Sequence, residues 1–285
     1  MKDETQIKDM VREKYASIAS QSKDVNQNTC CGATTSCCGD EVYNIMADDY
    51  TKLEGYNPEA DLGLGCGLPT EFAKIQKGDT VIDLGSGAGN DCFIARRITG
   101  EKGKVIGIDF TEPMINLAAK NAGQLGFDNV EFRLGDIEQM PVASESVDVV
   151  VSNCVLNLVP NKKAVFLEIF RVLKPGAHFS ISDIVLEGDL PVKWKEVAEL
   201  YAGCVSGAIQ KELYLSQLEA AGFRKILIQK EKPIIIPESI MKEYLSQEEI
   251  VSFKASGTNI TSITLYGEKP FLESKNCCLP GSECC

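Results

Sequence analysis

No apolar run in this 285-residue chain approaches the roughly 18–20 residues that a membrane-spanning helix needs. The opening residues, MKDETQIKDMVREKY, hold charges where a secretory signal would hold an apolar stretch. Together these absences predict a cytoplasmic protein that does not engage a membrane. Positive charge is also in deficit, with 29 Lys and Arg against 41 Asp and Glu and a net charge of −12. Phosphate backbones and anionic lipids select basic surfaces, so no nucleic-acid partner is expected. The one histidine, His178, falls in a strand-like segment and reads as a packed or surface residue rather than a general base. Aromatic residues make up only 7% of the chain; the one tryptophan, Trp194, reads as packing in an otherwise charged helix. No pair of cysteines has the C-x-x-C spacing typical of tetrahedral zinc sites.

What the chain does have is 12 cysteines and a hydrophobic fraction of 44%, enough for a sizeable core. A secreted disulfide scaffold is usually short and carries an export signal. Reduced thiols in a cytosolic chain point instead to a soft ligand or to redox chemistry.

Periodicity predicts an amphipathic helix over 4–19, a polar loop over 20–40, a short helix over 41–50 and an irregular Gly-rich stretch over 55–69. Regular alternation follows: strands at 80–84, 104–108, 130–133, 147–152 and 177–183, with helices at 90–98, 112–125 and 161–173. That order implies an α/β fold, a Rossmann-like doubly wound and mostly parallel sheet. Helices at 192–204 and 210–221 and strands at 225–232 and 260–269 suggest a smaller C-terminal α+β lobe, its strands either apart or lent to the main sheet. The expected organisation is a helix and cysteine-rich loop over 1–40, a cofactor domain over 41–190, a substrate lobe over 191–270 and a cysteine-rich tail over 271–285.

The segment TVIDLGSGAGND runs from strand to helix through Asp83, Gly85, Ser86, Gly87 and Gly89. Glycines there let the backbone turn tightly and approach a ligand. Nicotinamide dinucleotides use similar loops, but the acid Asp83 at the strand end and the G-x-G-x-G spacing point elsewhere. A second acid, Asp109, ends VIGIDF and is placed for ribose hydroxyls. With GIDFTEPMI, LGDIEQMP, VDVVVSNCVLNLV and EIFRVLKPGAHFSISD in order, residues 70–185 resemble the class I S-adenosylmethionine-dependent methyltransferases. The resemblance implies S-adenosyl-L-methionine as cofactor. Gly85 and Gly87 would pass under its methionine part and Asp109 would hold the ribose. Asp136 and Ile137 would flank the adenine, and Asn153 would stand near the transferable methyl. Asp83, Ser86 and Met114 join this cofactor set. For Asp83 and Asp136 the plain alternative is loop capping; for Met114 it is a place in the core.

After the fourth core strand the residues are Ser152, Asn153, Cys154 and Val155, with no proline or aromatic of the N-P-P-Y type. Cys154 is then either a buried small hydrophobe or a substrate contact. Cys66, in GLGCGLP, reads as part of a flexible loop; Cys204, in YAGCVSGA, sits at a helix end. Thiols from three segments suit a soft trivalent centre better than zinc. GLGCGLP, IDLGSGAGNDC, SNCVLNLVP and LYAGCVSGA together resemble the arsenite methyltransferases over most of residues 40–270. That resemblance implies Cys66, Cys154 and Cys204 as catalytic ligands of As(III). It implies methyl transfer to thiol-bound arsenic, giving mono- and dimethylarsenicals in arsenic detoxification. Arsenite and methylarsenite would arrive as thiol conjugates, with glutathione or thioredoxin as reductant. Trivalent arsenic has three ligand positions and keeps two after one methylation. Cys154 and Cys204, on the more rigid elements, are therefore expected to suffice for the second step, with Cys66 serving the first.

CCGATTSCC (30–38) and CCLPGSECC (277–285) share the form CC-x5-CC. Their cysteines, among them Cys31, Cys38, Cys277, Cys278, Cys284 and Cys285, are expected to capture thiophilic metalloid or buffer redox state. Cys31 stands nearest to a further N-terminal cysteine of the family that takes part in disulfide exchange, and Cys92 reads as structural. Two other readings remain open: a methyltransferase of another small molecule, such as a quinone or sterol precursor, and a metalloid-sequestering protein. Nothing in the sequence demands an oligomer, so a monomer is expected.

Overall fold

The computed structural model describes residues 4–20, 48–196, 205 and 207–271. Cys204, both CC-x5-CC segments and most of the expected 41–50 helix lie outside the described residues.

Helix α1 (Glu4–Ala19) leads to a loop with a short helix α2 (Pro69–Phe72) and then to the core alternation. Its elements are β1 (Thr80–Leu84), α3 (Asn90–Thr99), β2 (Lys104–Asp109), α4 (Glu112–Leu125), β3 (Val130–Leu134), β4 (Val147–Asn153), α5 (Lys162–Val172) and β5 (Leu173–Glu187). After these come α6 (Val192–Glu196), β6 (Ile209–Gln210), α7 (Lys211–Ala220), β7 (Arg224–Pro233), α8 (Glu238–Tyr244), α9 (Gln247–Ala255) and β8 (Asn259–Glu268).

The strands form one sheet in the order β3-β2-β1-β4-β5-β8-β7, with β6 added beside β5. Strands β1 to β5 pair in parallel. The β-branched runs of β1 and β4 are buried on both faces, as a doubly covered parallel sheet requires. Successive side chains alternate between two apolar layers. Ile82, Leu84 and Val150 join Phe166 and Ile169 of α5, whereas Val81, Val149 and Val151 join Cys92 and Phe93 of α3. The chain leaves β1 toward β2 and β3, then returns to place β4 and β5 on the other side. The crevice outside the carboxyl ends of β1 and β4 is therefore the topological switch point, where such sheets bind ligands.

One sequence expectation changes. The KPG segment does not precede β5 but lies inside it; Leu173 pairs with Val147, and a register shift before Val149 absorbs the irregularity. The strands after residue 190 join the main sheet, one of the two placements the sequence left open. β8 pairs antiparallel with β5 from His178↔Glu268 to Glu187↔Asn259, and β7 pairs with β8. The reason is the open edge that the long β5 would otherwise expose. Helices α8 and α9 were not anticipated, although Ser246 and Glu249 form a capping box at the start of α9. Among the described residues no helix is long and apolar enough to cross a membrane.

Candidate active site

The Gly-rich turn between β1 and α3 lines a cleft. Gly85 has φ +64°, and a Cβ on it would run into the side chain of Val155. Gly87 has φ +50°, and a Cβ there would meet nothing within 4 Å, so this glycine opens onto the cleft. The turn is tied to β2: Ser86 N–H donates to Ile108 O at 3.0 Å and Gly87 N–H to Asp109 Oδ2 at 3.1 Å. Asp109 Oδ1 accepts from Thr111 N–H at 2.8 Å. Burial nevertheless pushes the Asp109 carboxyl above its usual range, and those backbone donors only partly offset it. Ser86 Oγ and Asn90 Oδ1 are buried with no hydrogen-bond partner among the described residues. Both residues line the cleft.

Acids dominate the inner wall. Asp83 is 2% exposed, and its Oδ2 accepts from the Cys92 thiol at 3.3 Å, its one hydrogen-bond donor among the described residues. Burial, and then the neighbouring Asp91, push Asp83 well above the usual carboxyl range. Asp91, in the first turn of α3, is pushed up to about 6, mainly by burial. Its donors are neutral: Tyr50 Oη–H at 2.9 Å, Asn153 Nδ2 at 3.3 Å and Thr70 Oγ1 at 3.3 Å.

Cys154 follows β4 directly. Its backbone has φ +59°, a left-handed conformation that costs a non-glycine residue about 1–2 kcal/mol. Its N–H donates to Ser182 O at 2.8 Å, fixing it against β5. The side chain is buried, lines the cleft and shares an apolar cluster with Cys66, Ile184, Trp194 and Met241. Cys66 is fully buried and is not on a loose loop. Its N–H donates to Asn153 Oδ1 at 3.0 Å, and its carbonyl accepts from Ser262 Oγ at 2.5 Å. Among the described residues neither Cys66 nor Cys154 forms a disulfide. Beneath them Tyr214 Oη–H donates to Asp183 Oδ2 at 3.2 Å. Burial pushes Asp183 up to about 7 against the pull of Lys162.

At the other end of the cleft Asp136 and Ile137 line the wall beside Phe110. Lys8 of α1 reaches over this end and donates to Asp136 Oδ2 at 2.7 Å and to Glu138. Arg12 of the same helix lies over the Phe110 ring at 5.4 Å.

A family model described as a methyltransferase domain matches residues 75–222. An arsenite methyltransferase of Halobacterium salinarum is 39% identical over 278 residues, 94% of this chain and 68% of that protein. The chain belongs to the arsenite methyltransferase family. A second arsenite methyltransferase, from Aquipseudomonas alcaligenes, is 31% identical over 85% of this chain and 69% of its own. The crystal structure of an arsenic (III) S-adenosylmethionine methyltransferase from Chlamydomonas reinhardtii matches with a TM-score of 0.61 at 28% identity, over 81% of this chain and 75% of that one. This arsenite methyltransferase family member thus has the class I methyltransferase fold and S-adenosyl-L-methionine as its cofactor.

The cleft of the family member fits that cofactor. Gly87 leaves an open cradle, and Ser86 and Asn90 present unpartnered buried oxygens. Asp83, Asp91 and Asp109 suit a cationic ligand. The cleft brings together Asp83, Gly85, Ser86, Gly87, Asp109, Asp136, Ile137 and Asn153 with Cys154. It does not include Met114, which is fully buried in the layer beneath α4. His178 is also remote: its ring nitrogen meets Ala73 O at 2.6 Å and the ring packs on Tyr266. Sequence reasoning missed Tyr50, Asp91, Phe110 and Lys8. Phe110 and Asp91 directly follow motif residues and were within reach of it. Tyr50 and Lys8 carried no local signal.

Proposed function

We propose that this chain methylates trivalent arsenic held by Cys66, Cys154 and Cys204, forming mono- and dimethylated arsenicals. One observation carries the reading: Asn153 joins the cofactor cleft to the Cys66 segment, and Cys154 follows it in the chain. Cys204, outside the described residues, enters through the family resemblance.

When bound, S-adenosyl-L-methionine supplies an electrophilic methyl group on a sulfonium. The open face of Gly87 and the Asp109 carboxylate would orient its methionine and ribose parts, with Asp136 and Ile137 at the adenine. The thiols take arsenic by exchange: each As–Sγ bond forms as a bond to hydroxide or to a carrier thiolate breaks. The thiol proton leaves with the departing group. The resulting pyramidal centre keeps a lone pair directed at the cleft, so no general base is needed. The apolar cluster around Cys66 and Cys154 keeps water from competing for the methyl. Giving up that lone pair takes arsenic from +3 to +5; two thiolates would return it to +3 by closing a disulfide, and glutathione or thioredoxin would deliver arsenic and reduce that disulfide.

Arsenic speciation by chromatography, after incubation with S-adenosylmethionine, a reduced thiol and arsenite, tests the reading. Methylarsenicals from the wild type but not from Cys154→Ser support it. Cofactor binding without any methylarsenical would sink it and favour another small-molecule acceptor.

A further inference from the structure

Asp83 and Asp91 are two buried carboxyls on the wall of one cleft, and no lysine or arginine among the described residues bonds to either. Their hydrogen-bond partners are all neutral: the Cys92 thiol for Asp83, and Tyr50, Thr70 and Asn153 for Asp91. The charged neighbours make matters worse. Asp109, from β2, raises Asp83 further, and Asp61, from the loop before α2, raises Asp91. The one lysine among the described residues that line the cleft, Lys8, is engaged at the far end by Asp136 and Glu138. Two carboxylates in such a place do not both ionise unless a positive charge joins them.

We propose that Asp83 and Asp91 together hold a proton in the ligand-free cleft and give it to solvent when the sulfonium cofactor enters, so that the pocket distinguishes S-adenosylmethionine from its neutral thioether product. The inference rests on the cofactor reading but goes beyond it, since it assigns the pair a proton-linked discrimination between cofactor and product. Only the carboxyl O–H bond breaks on binding, and the proton passes to buffer. With the thioether product in place the cation is gone, a proton returns to the pair, and the hold on the ligand weakens. Asp91 already stands near neutrality, at about 6, and Asp83 is raised well above its usual range. At Asp91 the exchange falls in a pH range where binding is readily measured. Asn153 and Tyr50 contact Asp91, and both also bond Gly67 O, so the charge state of the pair is felt one residue from Cys66.

Calorimetric titration of the full chain, in buffers of equal pH and different ionisation enthalpy, counts the protons. The ligands are S-adenosylmethionine, S-adenosylhomocysteine and sinefungin, which carries an ammonium group in place of the sulfonium. The titrations are run well below the α-amino range of about 7.7–8.0, where that group is protonated in all three ligands and adds no difference. S-adenosylmethionine and sinefungin are expected to release roughly half to one proton more than S-adenosylhomocysteine. Below neutrality, the affinity ratio of cofactor to product should increase up to about tenfold for each unit by which the pH is raised. Asp91→Asn should reduce the proton count and flatten that ratio; the wild-type counts decide the matter if the variant does not fold. Equal counts for the cationic and neutral ligands would overturn the inference while leaving the cofactor reading intact. Failure of S-adenosylmethionine to bind at all would overturn both.

Discussion

Asn153 Oδ1 accepts a hydrogen bond from the backbone N–H of Cys66 at 3.0 Å, across 87 residues of sequence. The same amide donates through Nδ2 to Gly67 O at 2.9 Å and to Asp91 Oδ2 at 3.3 Å. One side chain thus bonds both the segment that carries a thiol and the acid wall of the cleft. Asn153→Ala leaves these partners unsatisfied, at a cost of about 1–3 kcal/mol. The expected result is a larger loss in kcat/KM for arsenite than in S-adenosylmethionine affinity. Steady-state kinetics beside equilibrium binding would separate the two; equal losses would place Asn153 only at the cofactor.

Gly85 and Gly87 should respond differently to alanine. At Gly87 the added methyl enters open space in the cleft, with backbone strain of about 1 kcal/mol from its positive φ. Cofactor affinity should fall about tenfold or more while Tm drops by only a few degrees. At Gly85 the methyl collides with Val155, so both quantities should fall together. Thermal melts with and without cofactor would show the contrast.

Asp183 gives the fold a pH dependence of defined sign. Buried and hydrogen-bonded to Tyr214, it titrates at about 7 rather than near the ordinary 3.8. Between these values the folded state holds a proton that the unfolded state has lost. Stability therefore falls as pH rises from about 4 to 7, then levels. Asp183→Asn keeps the volume and an acceptor for Tyr214 but cannot ionise. It should flatten the profile and raise stability at pH 8 by up to about 4 kcal/mol, one pKa unit being about 1.4 kcal/mol. Parallel denaturation curves for the two proteins across pH 5–8 would refute the assignment.

Cys66→Ser is a clean test of the valence count, because the bonds from Asn153 and Ser262 reach the backbone of residue 66 and survive the change. Arsenite methylation should fall at least about a hundredfold as one ligand is lost. Methylarsenite, which needs two thiols, should still be converted. Equal loss on both substrates would place Cys66 in both steps.

The core alternation was legible because buried parallel strands leave continuous β-branched runs, and because Gly85, Gly87 and Asp109 occupy positions set by local chain geometry. Asp83 and Asp109 could be read from the ends of β1 and β2 for the same reason. The fixing of Cys66 could not be read, since its partners stand 87 and 196 residues away. A Gly-rich segment looks loose in sequence; here two distant side chains hold it. Met114 shows the reverse limit: helical periodicity marks it as inward-facing but does not say whether inward means cofactor or core. The α8–α9 region lacked long periodicity, yet the Ser246 capping box was visible in four letters.

The pairing of β5 with β8 along ten residue positions has a consequence for modularity. A chain ended near residue 190 would leave the long flank of β5 without its neighbour, a ready template for other chains. The cofactor half is therefore expected to depend on the C-terminal strands for its solubility. Gene fusions, truncations and recombination events that cut between the two halves should give insoluble products. Substrate preference in this scaffold has to change by substitution within an undivided sheet rather than by exchange of a lobe.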